Sequence, residues 1–196
     1  MKAVTLSAML LSLWTCAWGR ELLWVGGKNS DMCDAANWID QATGLAPSGR
    51  AATSEADHDT LVFENAKPGA LTKGGTLRVD GLMMRGSELD VSSANDYANS
   101  IYFNVGGCIV SNEAVRGSFN LDGGVYFKAG SESEIYVKNA GVTHAFSRGT
   151  NNKVTLIKSG AGTLQIGGGT GSGSYSHDVV KIRGFSLYRV QALHRL

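Results

Sequence analysis

Residues 101–127 read IYFNVGGCIVSNEAVRGSFNLDGGVYF, and this stretch decides the fold class. Ile101, Phe103 and Val105 alternate with Tyr102 and Asn104, and the pattern returns at Phe119/Leu121 and at Val125/Phe127. Side chains two apart share one face of an extended strand, so each burst predicts a short strand with one buried face. Gly106-Gly107 and Asp122-Gly123-Gly124 stand between the bursts. Glycine reaches positive φ without strain and aspartate bonds its own backbone, which predicts turns at both places.

Outward from this stretch the alternation continues at Leu77/Val79, Leu89/Val91, Ile135/Val137, Val154/Leu156, Leu164/Ile166 and Val180/Ile182. Turn clusters follow at Asn139-Ala140-Gly141, 149–152 and 167–174. From Leu77 onward no stretch of ten or more carries apolar residues at i, i+3 and i+4, so no helix is expected there. Strands recurring about every 8 to 17 residues suit a sandwich, a barrel or a solenoid. One strand with its turn cannot bury its face alone and must stack on neighbours, which favours a β-solenoid, although no period holds strictly. The fold class expected is therefore all-β: a β-helix-like stack of short strands over 76–190, with a β-sandwich as the alternative.

Residues 20–75 differ in texture. They hold Trp24, Trp38, Pro47 and Pro68, longer polar loops, and one clear strand, Thr60-Leu61-Val62-Phe63. They read as an N-terminal cap over the first open edge of the stack, since an unpaired edge invites aggregation.

Composition bounds the rest. Glycine supplies 26 of 196 residues, nearly twice the usual share of about 7%. Proline supplies only 2, and 43% of the chain is hydrophobic, which suits many tight turns and not a disordered linker. Lys2 and the apolar run Ala3 to Leu13 precede Ala17-Trp18-Gly19, whose small residues at −3 and −1 predict a signal peptide over 1–19 cleaved before Arg20. The remaining chain holds 17 basic and 17 acidic residues, so charge gives no reason to expect nucleic acid as a partner. Cys33 and Cys108 can pair in an oxidising compartment, closing a loop of about 75 residues.

Two segments carry a family resemblance. Val154 to Leu187, VTLIKSGAGTLQIGGGTGSGSYSHDVVKIRGFSL, is similar to the autotransporter-associated β-strand repeat. The matching positions are Leu156, Lys158, Gly160, Gly162, Thr163, Leu164, Ile166, Gly168, Tyr175, Val180, Gly184 and Leu187. After Gly168 the segment GTGSGSYSHD replaces the family's Asn- and Thr-rich turn. The second segment, LLWVGGKNSDMCDAANWIDQATG with DHDTLVF, resembles the opening that precedes such repeats in long secreted bacterial proteins. Trp24, Gly26, Gly27, Ala35 to Trp38, Asp59, Thr60, Val62 and Phe63 carry it. The resemblance implies a right-handed β-helix-like passenger region, secreted or exposed at the outer membrane surface. Autotransporters end in a membrane barrel of at least about eight strands, for which no room follows Phe185. The chain is thus read as a short secreted member or a truncated piece of a longer protein, with 191–196 as a non-repeat tail.

Within the repeat, the residues that matter physically are Lys158, Gly160, Gly162, Thr163 and Leu164. Two glycines around one small residue let the backbone turn sharply and let neighbouring layers approach. Leu156, Leu164 and Ile166 are expected to point inward together.

The search for chemistry assigns no catalytic, cofactor or metal residue. Asp57-His58-Asp59 has the side chains for a metal or a general base, but at a spacing no common motif uses, and reads as a solvated turn before the Leu61–Phe63 strand. Asn29, Asp31 and Asp34 resemble a fragment of a calcium loop without its glycine or distal glutamate. No GxSxG, GxGxxG or GxxxxGK[ST] occurs, which removes the hydrolase elbow and the usual nucleotide sites. Trp24 and Trp38 read as core filling rather than a sugar platform. The function expected is a non-catalytic structural or surface-display module. The alternative is an adhesin-like module binding envelope components or surface glycans through outward Tyr102, Tyr126 and Tyr136. An open strand edge near Leu187 to Val190 predicts self-association.

Overall fold

The computed structural model describes residues 19–26, 31–49, 51–64, 76–86, 88–92, 100–111, 113, 115–128, 130–148, 155–166, 179–183 and 188–190. The segment expected to be a signal peptide, up to Trp18, together with Asn29, residues 167–178 and 184–187 of the stretch likened to the family repeat, and residues 191–196 lie outside these. The fold is all-β. The strands are β1 Glu21–Trp24, β2 Trp38–Asp40, β3 Thr60–Glu64, β4 Thr76–Arg85, β5 Glu88–Ser92, β6 Ser100–Ser111 and β7 Arg116–Phe127. They continue with β8 Glu132–Val137, β9 Gly141–Arg148, β10 Thr155–Ser159, β11 Thr163–Ile166, β12 Val179–Arg183 and β13 Tyr188–Val190. Helix is confined, among the described residues, to two single 3-10 turns, Ala35–Asn37 and Glu55–Asp57.

The strands form two ladders joined where β6 meets β7. One runs β2-β1-β3-β4-β6-β8-β10-β12, and the other runs β5-β7-β9-β11-β13. Among the described residues every strand pairing is parallel except β1 with β2. A parallel partner must lie far along the chain, because the backbone has to return to the same end before it can pair again. Leu77 pairs with Ile101 and Ile101 with Val125, each 24 residues after the last. Val79, Phe103 and Phe127 keep the same step, and the stacked rings of Phe103 and Phe127 lie 4.7 Å apart, one strand spacing. This 24-residue step belongs to these two columns. Beyond them it is 27 for Gly81 and Cys108, 26 for Ile109 and Ile135, and 20 for Thr143 and Thr163, in keeping with the expectation that no period holds strictly.

The turns predicted at Gly106-Gly107 and Asp122-Gly123-Gly124 lie inside continuous strands. β6 bends at Gly106, where φ is +73°, and changes partners there. Its first half lies between β4 and β7, and its second half between β4 and β8. Four residues of β6 face a single residue, Asp80, between the two registers with β4. A comparable register shift falls between Leu121 and Gly124 of β7. The glycines bend the ladder without ending it, because a bulge costs local pairing and not the strand.

Inward positions form one apolar cluster that includes Leu77, Val79, Leu82, Ile101, Ile109, Ile135, Leu156 and Leu164, all buried. At the β1 end the same cluster takes in Trp24, Trp38 and Phe63. Trp24 and Trp38 meet edge to face at 4.9 Å, and the Trp38 indole N–H donates to the Met32 carbonyl at 2.7 Å. This is the core-filling role expected of the pair.

Candidate functional site

The densest polar cluster lies where residues 51–59 cross the first half of β4. Its backbone acts as a partner strand would. The N–H of Arg78 donates to the Ala52 carbonyl at 2.6 Å, and the N–H of Asp80 to the Asp59 carbonyl at 2.8 Å. The second half of β4 is paired along its length with β3.

The outward side chains of β4, β6 and β7 stand in rows. Arg78, Tyr102 and Tyr126 form the first, with the guanidinium 5.4 Å from the Tyr102 ring centre and the two tyrosine rings stacked at 4.6 Å. Asp80, Asn104 and Lys128 follow at the same 24-residue step. Asn104 Nδ2 donates to Asp80 Oδ1, and Asp80 Oδ2 bonds His58 Nδ1 at 2.8 Å. Glu55 reaches across both rows, accepting from Arg78 at 3.2 Å and from Lys128 at 3.0 Å. The Lys128 hydrogen bond holds the Glu55 carboxyl below its ordinary value.

Asp57-His58-Asp59 is a turn before β3 in which Asp57 and His58 reach solvent and Asp59 does not. His58 sits at φ +52° as the left-handed end of the 3-10 turn, which aims its ring at Asp80. Asp59 is fully buried and takes a forked hydrogen bond from Arg20, at 2.8 and 2.9 Å, and a third bond from the Ala52 N–H. That hydrogen bond raises the Arg20 guanidinium above its ordinary value, while burial raises the Asp59 carboxyl. Asp31 and Asp34 are likewise used locally, accepting from the Cys33 and Ala36 N–H groups. Among the described residues no three His, Cys, Asp or Glu side chains converge as metal ligands would.

Tyr136 does not join Tyr102 and Tyr126. It pairs with Val110 and Ser159 in the other part of the ladder. Cys33 and Cys108 are both buried.

Residues 158–164 form a corner against β8. Gly160 has φ +78°, and a Cβ there would lie 2.2 Å from the Val137 carbonyl oxygen. A Cβ on Gly162 would lie 2.2 Å from Val137 Cγ1. The N–H of Gly162 donates to the Val137 carbonyl at 2.9 Å, and that of Ala161 to the Lys138 carbonyl at 3.1 Å. Leu156 and Leu164 point inward as expected. Lys158 does so too, which the sequence gave no reason to foresee. Its ammonium donates to the Ser159 and Gly160 carbonyls at 2.7 and 2.9 Å, closing the corner from within. Burial lowers its pKa to about 8. His144 of β9 is also fully buried, and burial, with the Lys158 charge second, lowers its pKa to about 3.

No family model, curated protein or solved structure matches this chain.

Proposed function

We propose that the chain is a non-catalytic structural module of the passenger type, exported and then secreted or displayed at the cell surface. Its fold is read as a right-handed β-solenoid capped by residues 20–75. One observation carries this reading: from β3 onward the strands pair in parallel with partners 20 to 28 residues away, and the β4 edge is covered by residues 51–64. Sandwiches are built from antiparallel sheets, whereas stacked coils pair in parallel. Clustered side chains at the polar site are spent on one another, Glu55 on Arg78 and Lys128, Asp59 on Arg20. That pattern supports a girder better than an active site. Resemblance of 154–187 to the autotransporter-associated repeat supports the same reading.

The test is fractionation of a Gram-negative host expressing the whole chain, with the product's first residue read by mass spectrometry. Product in the periplasm, outer membrane or medium, beginning at Arg20, is expected; an uncut cytoplasmic product overturns the export reading.

Among the described strands β12 pairs only with β10 and β13 only with β11. Self-association through this edge is expected to raise the apparent mass with concentration in light scattering, and a constant monomer mass overturns it.

Glycan binding is the second reading, favoured by the exposed Tyr102–Tyr126 row. Both faces of Tyr102 are already covered, by Arg78 and by Tyr126, so a sugar ring has no face of Tyr102 to lie on. Glycan-array binding abolished by Tyr126→Ala would reverse the order of the two readings.

A further inference from the structure

Arg20 and its two neighbours are built into the fold. The Arg20 side chain is forked onto buried Asp59 at 2.8 and 2.9 Å, and its carbonyl accepts from the Thr60 N–H at 2.8 Å. Glu21 follows, its carbonyl accepting from the Gln41 N–H at 2.9 Å and its carboxylate from Arg85 at 2.9 Å. On the other side Gly19 is pressed against His58, where an added Cβ would stand 1.7 Å from the His58 carbonyl oxygen. β1, which starts at Glu21, lies between β2 and β3 with partners on both edges.

A protease that reads an extended segment does so by strand addition, through the backbone N–H and C=O groups around the scissile bond. Here the carbonyls of Arg20 and Glu21 already have partners in the sheet. We infer that the Gly19–Arg20 bond is a processing site open only in the unfolded chain, and that seating of Arg20 on Asp59 withdraws it. The inference rests on the export reading above. Cleavage adds one water across the amide, leaving a carboxylate on Gly19 and an α-ammonium on Arg20. The device sets an order of events: cut first, then fold.

The full chain is unfolded in urea and diluted into detergent micelles with purified signal peptidase, beside the same chain refolded beforehand. Intact mass gives the first residue. The unfolded chain is expected to yield a product beginning at Arg20, and the refolded chain to be cut at least about tenfold more slowly, because cleavage must wait for local opening. Equal rates overturn the inference and leave the export reading standing. No cleavage in either state, or cleavage elsewhere, overturns both.

Trypsin at the Arg20–Glu21 bond gives a gauge independent of the signal peptidase. The folded chain is expected to resist, and Asp59→Asn to release the bond at least about fivefold faster by freeing the fork. Arg20→Lys keeps the charge and the trypsin site but loses the fork, and is expected to fall between. Circular dichroism checks that each variant folds; if Asp59→Asn does not, Arg20→Lys carries the test. A folded variant as resistant as the parent chain overturns the role of the clamp.

Discussion

Between Leu77 and Phe127 the described interior of the ladder is apolar and aromatic apart from Ser111, whereas between Ile135 and Leu164 it admits a lysine and a histidine. The first part holds its layers in register by repeating like side chains: leucine, isoleucine and valine in one column, valine and two phenylalanines in the next. The second holds its layers by removing side chains. Gly160 and Gly162 let one backbone lie against Val137 of the layer before, and Lys158 neutralises the carbonyls that the sharp corner leaves pointing inward. Parallel stacking thus does not demand a uniform interior. A layer is kept either by filling the space between strands or by leaving none, and the second way leaves polar groups that must be satisfied from within.

The corner offers the largest way to break this comparison. Gly160→Val adds a branched side chain at positive φ and drives its Cβ into the Val137 carbonyl, so a loss of about 4 kcal/mol or more is expected in urea unfolding. The aromatic column is next. Phe127→Ala removes the ring stacked on Phe103 and is expected to cost about 3–4 kcal/mol through the cavity it leaves. Equal costs for the two variants would mean that filling and close approach are the same device.

Acid separates the two parts further. His144 has a folded pKa of about 3, below its ordinary 6.5, so between those values the unfolded chain binds the extra proton and stability falls as the pH falls. By pH 4.5 a loss on the order of 2–3 kcal/mol is expected, absent in His144→Leu. A pH-independent unfolding midpoint over that window would remove the buried neutral imidazole. The smallest effect belongs to the outer row. Tyr102→Ala gives up the stack on Tyr126 and the Arg78 contact, both exposed, and is expected to cost about 1 kcal/mol.

Much of the first part was legible in the sequence, because a strand half buried along its length announces itself by alternation at Leu77/Val79, Ile101/Phe103 and Val125/Phe127. The glycine corner was legible for a different reason: only glycine fits where two backbones nearly touch. What was not legible is which residues meet across the ladder. Arg20 finds Asp59 and His58 finds Asp80 through chain reversals of 39 and 22 residues, and neither pair leaves a local pattern. Lys158 reads outward by charge and lies inward by parity with Leu156, since its stem packs and its ammonium finds carbonyls at the turn. Tyr136 shares with Tyr102 and Tyr126 an outward position by strand alternation, which does not say which strands are neighbours, and it lies on a different stretch of sheet.

The constant step from Leu77 to Ile101 to Val125 bears on how such a gene can change length. Excision of residues 101–124 would bring Val125 opposite Leu77 and Phe127 opposite Val79 with these side chains still inward, whereas loss of an odd number would need a bulge such as the one facing Asp80, after which Leu82 and Ile109 pair 27 residues apart. Duplication and deletion in units of 24 are therefore open to these columns as they stand, and slippage by one residue is open only with a bulge to absorb it.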